Sequence, residues 1–193
     1  MKTREPDFSQ LQKVMRREKP DRPVLFELFI SERLMEFFAG EKLNHDDPAK
    51  ELQTMIKGYA VGGYDFTSVV GGNFSFPTME RAHAESVSMR DGTIKDRESF
   101  EKYKWPNPED CDYSLLAKAK DWMPDGMKLI ARGPCGVLEN MNAIIGYDNI
   151  CMMLYDDPDL LKEIADHIGS RLVKYYDICA SFDTVGMFMD NDD

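Results

Sequence analysis

The closing stretch, Thr184-Val-Gly-Met-Phe-Met-Asp-Asn-Asp-Asp193, constrains the fold most. It reads as a buried strand that runs directly into three carboxylates and an amide. In βα folds a strand delivers polar groups at its carboxyl end, at the mouth of a sheet or barrel. Within the chain no helix follows this strand, and the expectation is a front half of something larger.

Bulk properties exclude several classes. With 193 residues and 42% apolar content the chain can bury a core, and one domain over 1–193 is expected. Its 35 acidic and 24 basic residues leave a net charge of -11 that is spread along the chain. That balance argues against a nucleic-acid or anionic-membrane surface. The apolar runs fall well short of the roughly 20 residues a membrane span needs, and the first residues lack an apolar signal region. A cytoplasmic location is therefore expected. Cys111, Cys135, Cys151 and Cys179 form no CxxC and adjoin no histidine, so they read as small apolar thiols, with no metal site expected within the chain. The 13 methionines read as core filling.

Taken in order, residues 7 to 18 predict an amphipathic helix carrying Phe8, Leu11, Val14 and Met15 on one face. Val24-Leu-Phe-Glu-Leu-Phe-Ile30 lacks polar alternation and predicts a strand covered on both faces, the pattern of a parallel sheet. Glu27 interrupts that run, and a carboxylate there marks a site or meets a cation such as Arg132. Ser31 and Gly40 bracket a helix over 32–39, and Asp47-Pro48 opens another that Gly62-Gly63 stops. Tyr64 to Val70 predicts a second strand, ending at Gly71-Gly72-Asn73. Residues 74–110 read as an irregular insertion, a flap or surface decoration, with a hairpin over Ala84 to Ile94.

Met127 to Arg132 predicts a third strand and Gly133-Pro-Cys-Gly136 its turn. The helix from Val137 to Ile145 would turn its first amides toward whatever sits over the sheet. A helical stretch over Tyr147 to Tyr155 precedes Asp157-Pro158, which opens a long helix to about Ala180. His167, near its apolar face, reads as a satisfied structural histidine. This βα alternation fits a small open sheet or half of an eight-stranded barrel. The first strand lacks a dinucleotide fingerprint at its end, and no P-loop occurs. Barrel-type chemistry is favoured, with catalytic candidates Glu27, Asp190, Asp192 and Asp193 and substrate-binding candidates Asn73, Arg132, Cys135 and Glu139.

The order of landmarks resembles the uroporphyrinogen decarboxylase superfamily. The likeness runs from Arg22-Pro-Val through Gly63-Tyr-Asp65, Trp105-Pro-Asn-Pro-Glu-Asp110 and Ala131-Arg-Gly-Pro-Cys-Gly136 to Asp157-Pro-Asp-Leu-Leu161 and Asp190-Asn-Asp-Asp193. It implies the N-terminal half of a (β/α)8 TIM barrel: about four parallel strands with helices and an inserted flap between strands 2 and 3. The decarboxylase places two arginines directly after its first strand to hold substrate carboxylates, and Leu28 and Glu32 stand there in this chain. Its key aspartate falls at Gly71 or Gly72, and its tyrosine near Met141. Added carboxylates at Glu27 and Glu32 would repel a polycarboxylate.

The resemblance is better to the cobalamin-dependent methyltransferase branch, whose aryl-ether demethylating members resemble this chain in the Asp-Asp pair ending the fourth strand. It implies methyl transfer from a small methylated or aryl methyl ether substrate to a corrinoid protein. Zinc and a corrinoid are implied for the full-length protein, with the zinc ligands in the second half. Porphyrinogen decarboxylation is the alternative, and a non-catalytic half barrel acting as an assembly or binding module is the third. A lone half barrel has open edges and an apolar interior, so a homo-oligomer or a partner half is expected.

Overall fold

The computed structural model describes residues 4–27, 29–78 and 92–192. The chain divides into two compact units. The first comprises residues 1–72, 112–132 and 179–189, and the second residues 73–111, 133–178 and 190–193.

Unit 1 is built on a parallel sheet of β1 (Phe66–Val70), β2 (Lys128–Arg132) and β3 (Val185–Met189), in that order. Phe66 pairs with Lys128 and Val70 with Arg132, while a shift between Leu129 and Ile130 interrupts the β2–β3 register. Parallel pairing of these three strands agrees with the βα alternation read in the sequence. β2 is central, and Leu129, Ile130 and Ala131 are wholly buried. β3 is an edge strand and only half-buried, with Phe188 exposed, so the expectation of a buried closing strand is corrected by its edge position.

The predicted strand Val24 to Ile30 does not form. Among its described residues none is in a strand, and Leu25, Phe26, Glu27 and Phe29 are exposed. The segment meets its neighbours through rings, Phe26 against Phe66 and Phe29 beneath Arg132, rather than through a ladder. Glu27 in consequence bears none of the burial cost that singled it out.

The helices of unit 1 form where the sequence places them, although Ser31 makes no side-chain capping bond at the start of its helix and the first helix is shorter than residues 7–18. In α1 (Phe8–Met15) Asp7 caps the Ser9 amide, and Phe8 and Leu11 are buried; Val14 and Met15, placed on the same face by their spacing, are exposed. The Phe8 amide donates to the Gly126 carbonyl at 2.8 Å, and a Cβ on Gly126 would stand 2.2 Å from the Pro6 carbonyl oxygen. Gly40, at φ 69°, ends α2 (Glu32–Ala39), and Gly63, at φ 88°, ends α3 (Pro48–Gly62). Asp47 accepts from the Ala49 and Lys50 amides, the cap expected ahead of Pro48. At Gly58 of α3 a Cβ would overlap the Met35 sulfur of α2, at 2.2 Å, so the close crossing of these helices requires glycine there.

Asp65, wholly buried, anchors the start of the sheet. Its oxygens accept from Arg22 at 2.7 Å, Arg4 at 3.1 Å and the Asp7 amide at 2.9 Å. The Gly63-Tyr-Asp65 landmark is thus a structural ion cluster.

Unit 2 contains α4 (Arg97–Lys102), α6 (Val137–Ile145), α7 (Tyr147–Asp156) and most of α8 (Pro158–Ala180), whereas α5 (Ser114–Lys118) belongs to unit 1. Its core includes Phe74, Ile94, Ile144, Ile145, Ile164 and Tyr175. Within the insertion, residues 92–110 are more regular than their composition suggested, because Asp96 and Ser99 form a capping box that starts α4. The predicted hairpin over Ala84 to Ile94 falls mostly on residues 79–91, outside the described residues. His167 packs against Trp105 and Phe100, with ring centroids at 4.7 and 5.2 Å, and its buried Nδ1 has no hydrogen-bond partner among the described residues. Its Nδ1 therefore departs from the expectation of a satisfied histidine, and ring packing surrounds it.

Candidate functional site

β1 places Ser68 in the middle of a buried run, on the face it shares with Phe66 and Val70. Ser68 is 1% exposed, and its buried Oγ has no hydrogen-bond partner among the described residues. It lines a cavity of about 160 Å³ together with Arg132, the last residue of β2. Phe29, Ile30, Met35, Leu43, Met55 and Tyr59 supply an apolar wall. The Arg132 guanidinium carbon lies 4.7 Å from the Phe29 ring centroid, within range of cation–π attraction. Burial pushes the Tyr59 phenol above its ordinary value, against the downward pull of a bond to the Ile30 backbone and of the Arg132 charge. It therefore remains a neutral hydroxyl at physiological pH.

Glu32, His45 and Glu51 also line this cavity. His45 bridges the other two, Nδ1 to Glu51 at 2.9 Å and Nε2 to Glu32 at 3.3 Å. These bonds, that to Glu51 foremost, raise the imidazole above its ordinary value of 6.5. When protonated, the ring neutralises part of the acidic wall that Glu32 and Glu51 present.

Unit 2 gathers four of the residues singled out in the sequence. Cys135 has a left-handed backbone, φ 68°, which is uncommon for a residue with a Cβ. Asn140 holds this turn by donating to the Pro134, Cys135 and Gly136 carbonyls at 2.8, 3.1 and 2.7 Å. The Cys135 thiol is pushed up to about 11, first by its hydrogen bond to Glu139, then by burial and by the charges of Glu139, Asp190 and Asp192. The thiol stays protonated near neutral pH and is a poor nucleophile there. Tyr176 donates to Asp190 at 3.1 Å. Asp192 accepts the Val137 and Leu138 amides, each at 3.0 Å, and the Asn191 carbonyl accepts from Gly136 at 2.8 Å. The first amides of α6, expected to face a ligand, are thus occupied by Asp192.

Glu27 and Asn73 do not enlarge either site. Glu27 and Asn73 are exposed, and Asp193 lies outside the described residues. Sequence reasoning found Arg132 but missed Ser68, Tyr59 and His45. The one available signal was Thr67-Ser68, a polar pair inside an apolar strand.

Among the described residues no three of the His, Cys, Asp and Glu side chains are placed to hold a metal ion. The zinc implied by the resemblance finds no ligand set there, and no step below passes through it. Among the same residues no helix is long and apolar enough to cross a membrane. Comparison with protein-family models, curated proteins and solved structures finds no match to this chain.

Proposed function

We propose that the chain forms the substrate side of a methyltransferase-like enzyme of the uroporphyrinogen decarboxylase superfamily, passing a methyl group from a small methylated or aryl methyl ether substrate to a corrinoid protein. The resemblance in landmark order supplies the class, and the parallel α/β sheet is compatible with a half barrel. The observation that carries the reading is the Ser68 cavity. Its volume of about 160 Å³ suits one aromatic ring, since a cavity of roughly 150 Å³ accommodates benzene. Apolar walls would seat the ring while Ser68 and Arg132 meet its polar substituent. Porphyrinogen decarboxylation is disfavoured on two grounds: a tetrapyrrole is several times too large for this cavity, and Glu32 on its wall repels polycarboxylates.

A second reading, a non-catalytic half barrel that assembles with another copy or a partner half, is favoured by the exposed Phe26, Phe29, Val70 and Phe188 of unit 1. Sedimentation separates the two, because a monomer at micromolar concentration removes the assembly reading. The enzymatic reading is tested by incubating the protein, expressed in its full natural reading frame, with methoxyarenes and reduced cobalamin. Formation of methylated cobalamin is expected. Decarboxylation of uroporphyrinogen in its place would sink the methyl-transfer reading.

A further inference from the structure

We propose that the Ser68 cavity binds a small monocarboxylate, the carboxylate held by Ser68 and Arg132 and the hydrocarbon body seated on Met35, Leu43 and Met55. A buried hydroxyl without a partner is costly, and a bound acceptor at this point supplies the missing hydrogen bond. Arg132 lies in the same cavity, its guanidinium carbon 4.7 Å from the Phe29 ring centroid. The planar fork of N–H donors that a guanidinium carries matches the geometry of a carboxylate. The apolar wall excludes a strongly hydrated body, and the volume limits it to about one ring or a short chain.

The count of charges sets the limit of one carboxylate. Arg132 and a protonated His45 oppose Glu32 and Glu51 on the walls, so the lined cavity is close to neutral. One negative charge beside Arg132 is compensated; a second would face Glu32 or Glu51 across the small volume and be repelled. The proposal rests on the cavity being the substrate seat. Binding is measured without a methyl acceptor, so its failure and the failure of methyl transfer are told apart.

The test is a calorimetric titration of the 193-residue chain with benzoate, benzyl alcohol and phthalate. These share a ring and differ in carrying one, no or two negative charges. Benzoate is expected to bind at least about tenfold more tightly than benzyl alcohol, as a charge-assisted hydrogen bond implies, and phthalate more weakly than benzoate. Ser68→Ala should weaken benzoate about tenfold and benzyl alcohol, a neutral acceptor for the same hydroxyl, by less, and Arg132→Gln should remove the preference for benzoate. Equal affinity for benzoate and benzyl alcohol, phthalate matching benzoate, or no heat from any of the three overturns the proposal. The three-ligand comparison on the unaltered chain holds even where a variant fails to fold.

Discussion

Asp192 fills the space in front of Gly136: a Cβ on Gly136 would stand 2.3 Å from the Asp192 Cβ and Cγ. The carboxylate there closes the start of α6 from far along the chain, doing what an N-cap residue does locally. Asp192→Ala is expected to cost about 1 kcal/mol in urea denaturation, with Asp192→Asn recovering much of it. Gly136→Ala should displace the carboxylate and cost at least as much as Asp192→Ala. Unchanged stability in both alanine variants would mean that the cap contributes nothing.

Asp65 is wholly buried against two arginines that are each about a quarter exposed, Arg4 at 27% and Arg22 at 26%. Asp65→Asn removes the charge and leaves two facing cations at the edge of the core. The expected loss is about 2–3 kcal/mol, below the 3–5 kcal/mol of a fully buried pair because solvent screens the arginines. Chemical denaturation reads this directly. Asp65→Asn combined with Arg4→Gln should be less damaging than the sum of the two single changes.

His45 gives the junction of α2 and α3 a pH dependence. Its raised value means that the folded state binds the proton more tightly than the unfolded chain. The contribution is complete below the unfolded value near 6.5 and is lost as pH rises through the folded value. Amide exchange in residues 41–47 should therefore accelerate as pH rises through that window, beyond the intrinsic base-catalysed increase. Glu51→Gln should lower the His45 midpoint seen by NMR, since the bond to Glu51 is the largest cause of the shift.

Cys135 should resist alkylation. With its thiol held up to about 11, iodoacetamide at pH 8 should modify it far more slowly than an ordinary exposed thiol, as read by peptide mass spectrometry. Glu139→Gln removes the hydrogen bond and charge that dominate the shift and should raise the rate several-fold at the same pH. Cys111, where burial raises the thiol first, provides an internal comparison that Glu139→Gln should leave unaltered.

Helix boundaries were legible wherever a cap is local. Asp47-Pro48, Gly40 and Gly63 act within a few residues of their helices, and the structure places the ends there. Val24 to Ile30 was misread because a strand exists only when a neighbour offers a ladder, which its own residues cannot reveal. The same limit hid the capping role of Asp192, whose partners Val137 and Leu138 are distant in sequence. Ser68 was overlooked because serine in a strand is unremarkable until its hydroxyl is found buried without a partner. Arg132, Cys135 and Glu139 were found because polar residues at the end of a strand and in the following turn are few.

The contact between Phe8 and Gly126 bears on the order in which the protein can be completed. The turn that receives α1 is synthesised more than a hundred residues after it. Until then Phe8, buried in the finished fold, lacks that partner. Loop closure over that separation is slow compared with helix formation. The nascent chain consequently carries an unsatisfied apolar ring while those residues are made, a target for chaperones that bind short hydrophobic segments.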